Sequence, residues 1–326
     1  MTKVDLITGF LGAGKTTFIL DYAHALLERG ERIGIIENDY GAINIDLMLL
    51  HRELGDKCRL EMVIGGDPDC HRRRLKTKLI AMGIDRYDRV LVEPSGVFDV
   101  EEFMDILYEE PLDHLLVPEN VITVVDGERL RKEDYSENER YILAEQLTKA
   151  GMIFLSKAEN ESEDEIRKEL NDLSAALKEI GCSRVLKREE MILRRNGGIS
   201  DTDMERLLRA GRRDASYIKR NVLESGAFQS LFFFYPELPE EPVDRLMLRI
   251  FTDPRCKGLS RIKGFVRSTD CEEWLEINAT AEHTEIRKSP VGQPVLIAVG
   301  EGIRQDVIGG YLRHFENQYR PAENAE

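Results

Sequence analysis

Residues 4–17 read Val-Asp-Leu-Ile-Thr-Gly-Phe-Leu-Gly-Ala-Gly-Lys-Thr-Thr. From Gly9 to Thr16 the spacing is GxxxxGK[ST], behind a short apolar run and ahead of a helical pattern. In that pattern Phe18, Ile19, Tyr22, Ala23, Leu26 and Leu27 recur until Gly30 stops it. Strand, glycine-rich loop and helix in this order are the context the motif requires. Glycines let successive backbone N–H groups turn toward a phosphate, and the helix N-terminus adds partial positive charge. Lys15 is placed to reach the β- and γ-phosphates. Thr16 offers a hydroxyl to Mg²⁺, a hard cation that shares oxygen ligands with nucleotides. Gly12, Ala13, Gly14, Lys15, Thr16 and Thr17 are therefore the expected nucleotide-binding residues.

Outward from this motif, short apolar runs without polar alternation occur at 4–8, 33–37, 90–93, 121–126 and 152–156. Such runs predict strands buried on both faces, hence an α/β domain with a mostly parallel sheet over residues 1–210. A later helix opens with Ser162 and Glu165 in capping-box spacing, buries Ile166, Leu170, Leu173, Leu177 and Ile180, and ends at Gly181. Residues 211–227 are polar and weakly periodic, which predicts a linker. Residues 228–326 predict a smaller α+β domain: a strand at 228–235, a helix at 243–251 behind Pro239 and Pro242, strands near 262–266, 274–279 and 295–299, and a helix at 304–315.

Composition bounds the function. Of 326 residues, 42% are apolar and 33% charged, enough for packed cores. The longest apolar runs, 121–125 and 295–299, are far short of the roughly 20 residues that span a bilayer, so no membrane partner is expected. The N-terminus has no apolar leader with a small-residue cleavage site. Forty-six basic against sixty-one acidic residues give a net charge of −15, which opposes binding to a nucleic-acid backbone. The basic stretches 187–195 and 209–213 read as solvated surface. Five cysteines, at 58, 70, 182, 256 and 271, show no disulfide-like spacing, and a reducing cytoplasm fits them.

Two further segments sit where a P-loop GTPase needs them. Arg89-Val90-Leu91-Val92-Glu93-Pro94-Ser95-Gly96 is a strand ending in a carboxylate, with a glycine three residues on. Glu93 suits Mg²⁺ held through water, and the N–H of Gly96 suits a γ-phosphate. Many strands end in an acidic residue, so Glu93 takes its meaning from the P-loop ahead of it. The other segment is Ser156-Lys157-Ala158-Glu159. A carboxylate at Glu159 accepts from both N–H donors of guanine, with the aliphatic stem of Lys157 over the base; an ordinary strand-to-helix loop is the competing reading.

With these residues in hand, the sequence resembles the CobW family of P-loop GTPases, relatives of the nickel-enzyme maturation GTPases. The resemblance rests on ITGFLGAGKTT at 7–17, IIENDYGAINID at 35–46, VLVEPSG at 90–96, ITVVD at 122–126 and IFLSKAE at 153–159. RIKGFV at 261–266 and LIAVGEG at 296–302 resemble the family's C-terminal domain. It implies GTP and Mg²⁺ as ligands, and GTP hydrolysis coupled to transition-metal delivery or to upkeep of a metal- or corrinoid-dependent enzyme. The implied partners are a guanine nucleotide and a client metalloprotein or cofactor enzyme.

Departures from the family pattern shape this further. The family carries a Gly-Cys-x-Cys-Cys metal motif where this chain has Gly66-Asp67-Pro68-Asp69-Cys70, followed by His71. Carboxylates favour harder ions than thiolates do, so zinc or cobalt preference does not carry over unmodified. Asp67, Asp69, Cys70 and His71 with Glu37 form a mixed candidate set for Zn²⁺ or Co²⁺, whereas adjacent residues rarely all point at one ion, which leaves a structural loop as the alternative. Asn38-Asp39-Tyr40-Gly41-Ala42 stands where Asn-Glu-Phe-Gly-Glu is usual: the resemblance gives Asp39 the task of orienting Mg²⁺ or the attacking water, and the second carboxylate is lost at Ala42. Ser156 and Glu159 replace the usual Asn and Asp, which predicts loss of the loop bracing an Asn supplies. The expected activity is a GTPase, slow without a partner. The alternative is a nucleotide-binding assembly factor that no longer handles metal. A small-molecule kinase would need an acceptor site and a lid, which the sequence does not display.

Overall fold

The computed structural model describes the chain except residues 40–44, 65–67, 95–99, 134, 160, 196–197, 221–227, 235, 239–242, 269–272 and 320–326. At 38, 39, 45, 64, 68–70 and 316–319 only the backbone is described. The chain divides into two compact units, Met1–Arg220 and Asn221–Glu326.

The first unit alternates strands and helices: β1 (Thr2–Thr8), α1 (Lys15–Glu28), β2 (Ile33–Asp39), α2 (Ile45–Leu54), β3 (Arg59–Ile64), α3 (Pro68–Ile84), β4 (Arg89–Pro94), α4 (Val100–Leu107), α5 (Leu112–Leu115), β5 (Leu116–Asp126), α6 (Gly127–Arg131), α7 (Glu137–Lys149), β6 (Met152–Ser156), α8 (Glu163–Glu179), β7 (Met191–Leu193) and α9 (Asp201–Leu208). The strands form one sheet in the order β3-β2-β4-β1-β5-β6-β7. Every neighbouring pair in it is parallel. Both faces are covered, which is why the strands read as unbroken apolar runs. Ile7, Ile35, Leu91 and Ile122 pack on one side with Phe18, Ile19, Tyr22 and Leu26 of α1. Leu6, Ile36, Val90 and Val92 pack on the other with Leu75 and Leu79 of α3 and Phe103 of α4. The capping box of α8 forms as read, with Ser162 and Glu165 satisfying each other's backbone N–H groups.

A polar knot lies within this apolar sheet. Asp5, fully buried in β1, accepts from Tyr22 Oη at 2.9 Å, Arg89 Nη1 at 2.7 Å and Asn120 Nδ2 at 2.9 Å. Asn120 Oδ1 in turn accepts from the Gly211 N–H at 2.8 Å. Burial pushes the Asp5 carboxyl up from its ordinary value, and Arg89 opposes that push. Residues 211–220, read from sequence as connecting chain, carry no helix and belong to the first unit, tied into it by hydrogen bonds from Val121 N to Gly211 O and from Ile218 N to Ile180 O.

Two strands here escape the sequence pattern. β3 places Arg59 and Glu61 among its apolar residues, as an edge strand tolerates. The stretch 187–195, expected as solvated surface, is corrected: Met191, Ile192 and Leu193 form β7 and are buried, and the Met191 carbonyl accepts from Arg188 and Arg206. The charges around these three residues mask them in the sequence.

The second unit contains β8 (Phe228–Phe234), β9 (Glu237–Leu238), α10 (Val243–Thr252), β10 (Leu259–Ser268), β11 (Trp274–Ala279), β12 (Thr284–Ser289), β13 (Val295–Glu301) and α11 (Gln305–Tyr319). Its sheet runs β12-β11-β10-β13-β8 with antiparallel neighbours, and β9 lies parallel beside β10. Leu246, Met247 and Ile250 of α10 and Ile308 and Leu312 of α11 pack on Ile262, Val266, Leu275, Ile277 and Leu296. Gly264 has φ 154° and leaves no room for a side chain, since a Cβ there would lie 2.0 Å from Val295 O. Trp274 packs at the sheet's rim beneath the Arg267 guanidinium, 4.4 Å from its ring. β12, whose sequence TEIRKS is polar, is the edge strand that periodicity does not reveal. Thus an α/β domain with a parallel sheet precedes a smaller α+β domain, and among the described residues no helix is long and apolar enough to cross a membrane.

Candidate functional site

The carboxyl ends of β1, β2, β4, β5 and β6 lie side by side, the position where open parallel sheets gather ligand-binding loops. After β1 the chain turns through Gly9 (φ 147°), Gly12 (φ 79°) and Gly14 (φ 92°). At Gly9 a Cβ would sit 2.4 Å from Val124 O, so only glycine fits between the loop and β5. Gly14 is the residue before α1, and that helix has neither a side-chain cap nor an acidic residue in its first turn. Its leading N–H groups therefore face an anion's place without an internal competitor. Thr8 and Thr123, Cα partners on β1 and β5, join their hydroxyls at 2.8 Å beneath the loop.

Lys15 opens α1 and is buried, with Nζ 3.6 Å from Glu93 Oε1 at the end of β4; both side chains are 8% exposed. Glu37 on β2 is the Cα partner of Glu93, which puts both carboxylates on one face of the sheet. Glu37 is also buried. One cation and two carboxylates thus meet beside the glycine loop, oxygen donors of the type a hard divalent cation takes. Thr16 is half-buried and Thr17 exposed.

Ser156, the last residue of β6, is buried, and its hydroxyl donates to Ala13 O at 2.6 Å and is 3.1 Å from Val125 O. This corrects the expectation that bracing is lost with the Asn: the shorter hydroxyl makes the tie between the two loops directly. Lys157 has φ 52°, a left-handed backbone unusual for a long side chain, and its Nζ pairs with Asp126 Oδ2 at 2.6 Å. Glu159 is exposed.

Sequence reasoning did not single out the next ring of residues. Asp126 ends β5, takes Lys157 on one oxygen and caps α6 with the other, accepting from the Arg129 N–H at 3.1 Å. Arg129 lies 5.6 Å over the Phe10 ring and 4.4 Å over Tyr135, and pairs with Glu139 at 2.9 Å. Arg131 donates to the Lys157 carbonyl at 3.1 Å. The available signal was an Asp at the end of the fourth apolar run followed at once by Gly127, the pattern of a strand end that caps a helix.

The remaining candidates divide. Asp39 ends β2, with only its backbone described; Gly96 and Asp67 lie outside the described residues, as do the side chains of Asp69 and Cys70 at the start of α3. His71, one residue further on α3, is buried. Cys182 and Cys256 are buried, and burial pushes the Cys58 thiol up to about 11, which keeps it protonated at neutral pH. Cys271 lies outside the described residues.

The model of the CobW/HypB/UreG nucleotide-binding domain matches residues 3–181. The chain is 30% identical over 166 residues to the zinc chaperone YeiR of Escherichia coli, covering 49% of this chain and 47% of that protein. It is 30% identical over 172 residues to the zinc chaperone YjiA of the same organism, covering 50% and 51%. The chain thus spans about half the length of these curated relatives. Among solved structures, Zn(II)-bound YjiA GTPase aligns over 96% of this chain and 98% of that one, at 18% identity and a TM-score of 0.40.

Proposed function

The chain belongs to the CobW/HypB/UreG family, and from that premise we propose that it binds Mg-GTP and hydrolyses it to GDP and phosphate, the nucleotide state governing maturation or metal loading of a client metalloprotein. The observation that carries the reading is the buried Lys15–Glu93 pair beside an uncapped helix start. Lys15 neutralises the β- and γ-phosphates, and the loop N–H groups from Gly12 to Thr17 hold their oxygens. Thr16 and Glu93 would hold Mg²⁺, which when bound offsets charge on the β–γ bridge. Asp39 orients the attacking water, and the Gly96 N–H meets the γ-phosphate. Ser156 fixes the base loop to the phosphate loop, Lys157 covers the base and Glu159 accepts from the guanine N–H donors. Without a partner, turnover is slow, on the order of 10⁻⁴ to 10⁻² per second. Residues 1–210 hold this chemistry, and residues 228–326 form a domain joined through 211–227.

Fluorescent-nucleotide titration and phosphate release test this reading. Lys15→Ala is expected to abolish both, and unchanged affinity in that variant would refute it. Equal competition by ATP and GTP would refute the guanine assignment alone.

That two relatives are named zinc chaperones supports metal as cargo. A second reading, a nucleotide-binding assembly factor that has given up metal, is favoured by Asp67 and Asp69 standing in place of two thiolates. Calorimetry separates the two. One tight zinc or cobalt equivalent that is lost in Cys70→Ser upholds metal delivery. No metal heat, with hydrolysis unchanged by that substitution, upholds the assembly factor.

A further inference from the structure

Arg131 stands outside the phosphate site, on the far side of the Ser156–Glu159 loop. Its guanidinium serves two masters at once: Nη2 donates to the Lys157 carbonyl at 3.1 Å, while Nη1 lies against Glu161 and 3.4 Å from Glu169 Oε1 on α8. Glu169 is only 1% exposed, and Gly127 brings α6 so close that a Cβ there would be 3.0 Å from both Glu161 Oε1 and Ser156 O. We propose that Arg131 is the positioning residue for base recognition: its planar fork clamps the left-handed Lys157 peptide to α8 and so aims residues 157–159 at the guanine.

A positive φ at a lysine is costly and persists only when its surroundings hold it. The carbonyl of that residue is the atom Arg131 takes. A guanidinium presents donors in a fixed fork, so it can hold a carbonyl and a carboxylate together, which a single ammonium does less well. The two acidic side chains are themselves buried, 5% exposed at Glu161 and 2% at Glu169, which fixes the anchor in place. Burial pushes the Glu169 carboxyl up to about 7, Arg131 opposes that push, and Glu165 and Asp172 add to it. Glycine-loop contacts to phosphate are made elsewhere, through backbone groups that Arg131 does not touch. Removing the clamp should therefore change which base is bound, leaving phosphate-derived affinity in place.

The inference rests on Lys157 and Glu159 being the guanine contacts. Its test is titration of the full chain with fluorescent GDP and ADP, for wild type, Arg131→Gln and Arg131→Lys, with thermal melts alongside. Arg131→Gln should lower GDP affinity about tenfold and leave ADP affinity unchanged, the scale of one lost charge-assisted hydrogen bond. Arg131→Lys, which keeps the charge against Glu161 and Glu169, should recover part of the preference. An unchanged GDP/ADP ratio in folded Arg131→Gln, or equal losses for both nucleotides, overturns the proposal. Should Arg131→Gln not fold, a folded Arg131→Lys with the full wild-type ratio overturns it, and a reduced ratio upholds it. A wild-type chain without guanine preference removes the guanine reading itself, an outcome distinct from a preference that survives loss of Arg131.

Discussion

The two ends of the proposed nucleotide site, phosphate and base, are built by different means. The phosphate end is backbone: three glycines with positive φ, an uncapped helix start and one lysine, contiguous in sequence from Gly9 to Lys15. The base end is side chains: Ser156, Lys157, Asp126 and Arg131, drawn from β6, the loop after it, β5 and α6, and backed by Glu169 of α8. Such a backbone tolerates little change, because each glycine holds a positive φ and Gly9 leaves no room for a Cβ. A side-chain brace can be rebuilt, as the Ser156 hydroxyl does by reaching Ala13 O where the resemblance implies an Asn.

This contrast can be broken from either side. The largest effect is expected at Gly9→Ala. A Cβ 2.4 Å from Val124 O in a left-handed backbone should destabilise the first unit by roughly 3 kcal/mol, read as a lower urea midpoint with nucleotide binding lost. A variant as stable as wild type would show that the loop is free to shift. Ser156→Ala comes next. With the tie to Ala13 O gone, GTP and ATP affinities should fall together by about tenfold, since the brace supports the phosphate loop as well as the base loop. Loss of GTP affinity alone would confine Ser156 to the base end.

Glu159→Ala should narrow the GTP/ATP ratio by about fivefold, modest because the side chain is exposed, and competition titrations read it directly. No change there would move guanine reading to another residue. The smallest effect concerns Glu169. Its folded pKa, about 7, lies above the ordinary glutamate value, so the stability it contributes is full below about pH 4.5 and is lost as pH rises through 7. Glu169→Gln, which cannot ionise, should match wild type near pH 4.5 and melt about 2–4 °C higher at pH 8. Equal melting temperatures at pH 8 would mean that the folded carboxyl is not raised above its ordinary value.

How much of this was readable before the structure follows from the same contrast. Strand, glycine loop and α1 were legible because backbone geometry and burial dictate residue type locally. The five central strands were legible for the same reason, being buried on both faces. β3, β7 and β12 were not, because edge position or flanking charge removes the apolar signature. At the candidate site, Lys15, Glu93 and Ser156 were singled out by spacing and lie together at the strand ends, and Glu37 and Glu93 become neighbours through sheet register. Asp126, Arg129 and Arg131 were missed because their meaning depends on partners 10 to 38 residues away, which no local pattern encodes.

The buried knot around Asp5 sets an order of events in synthesis. β1 precedes its partners in the chain, so its carboxylate waits for Tyr22, Arg89 and Asn120, and the Asn120 side-chain oxygen waits in turn for the Gly211 N–H. β1 takes its central place only when β4 and β5 bring Arg89 and Asn120, because burying its carboxylate without them would be costly. A chain ending at Leu208 should therefore be cut faster than the full chain by a protease at low concentration, within 116–126; equal lifetimes would show that the knot closes without residue 211. A strand that precedes its partners is thus tied to residues far along the chain, and the nascent domain stays provisional until residue 211 has emerged.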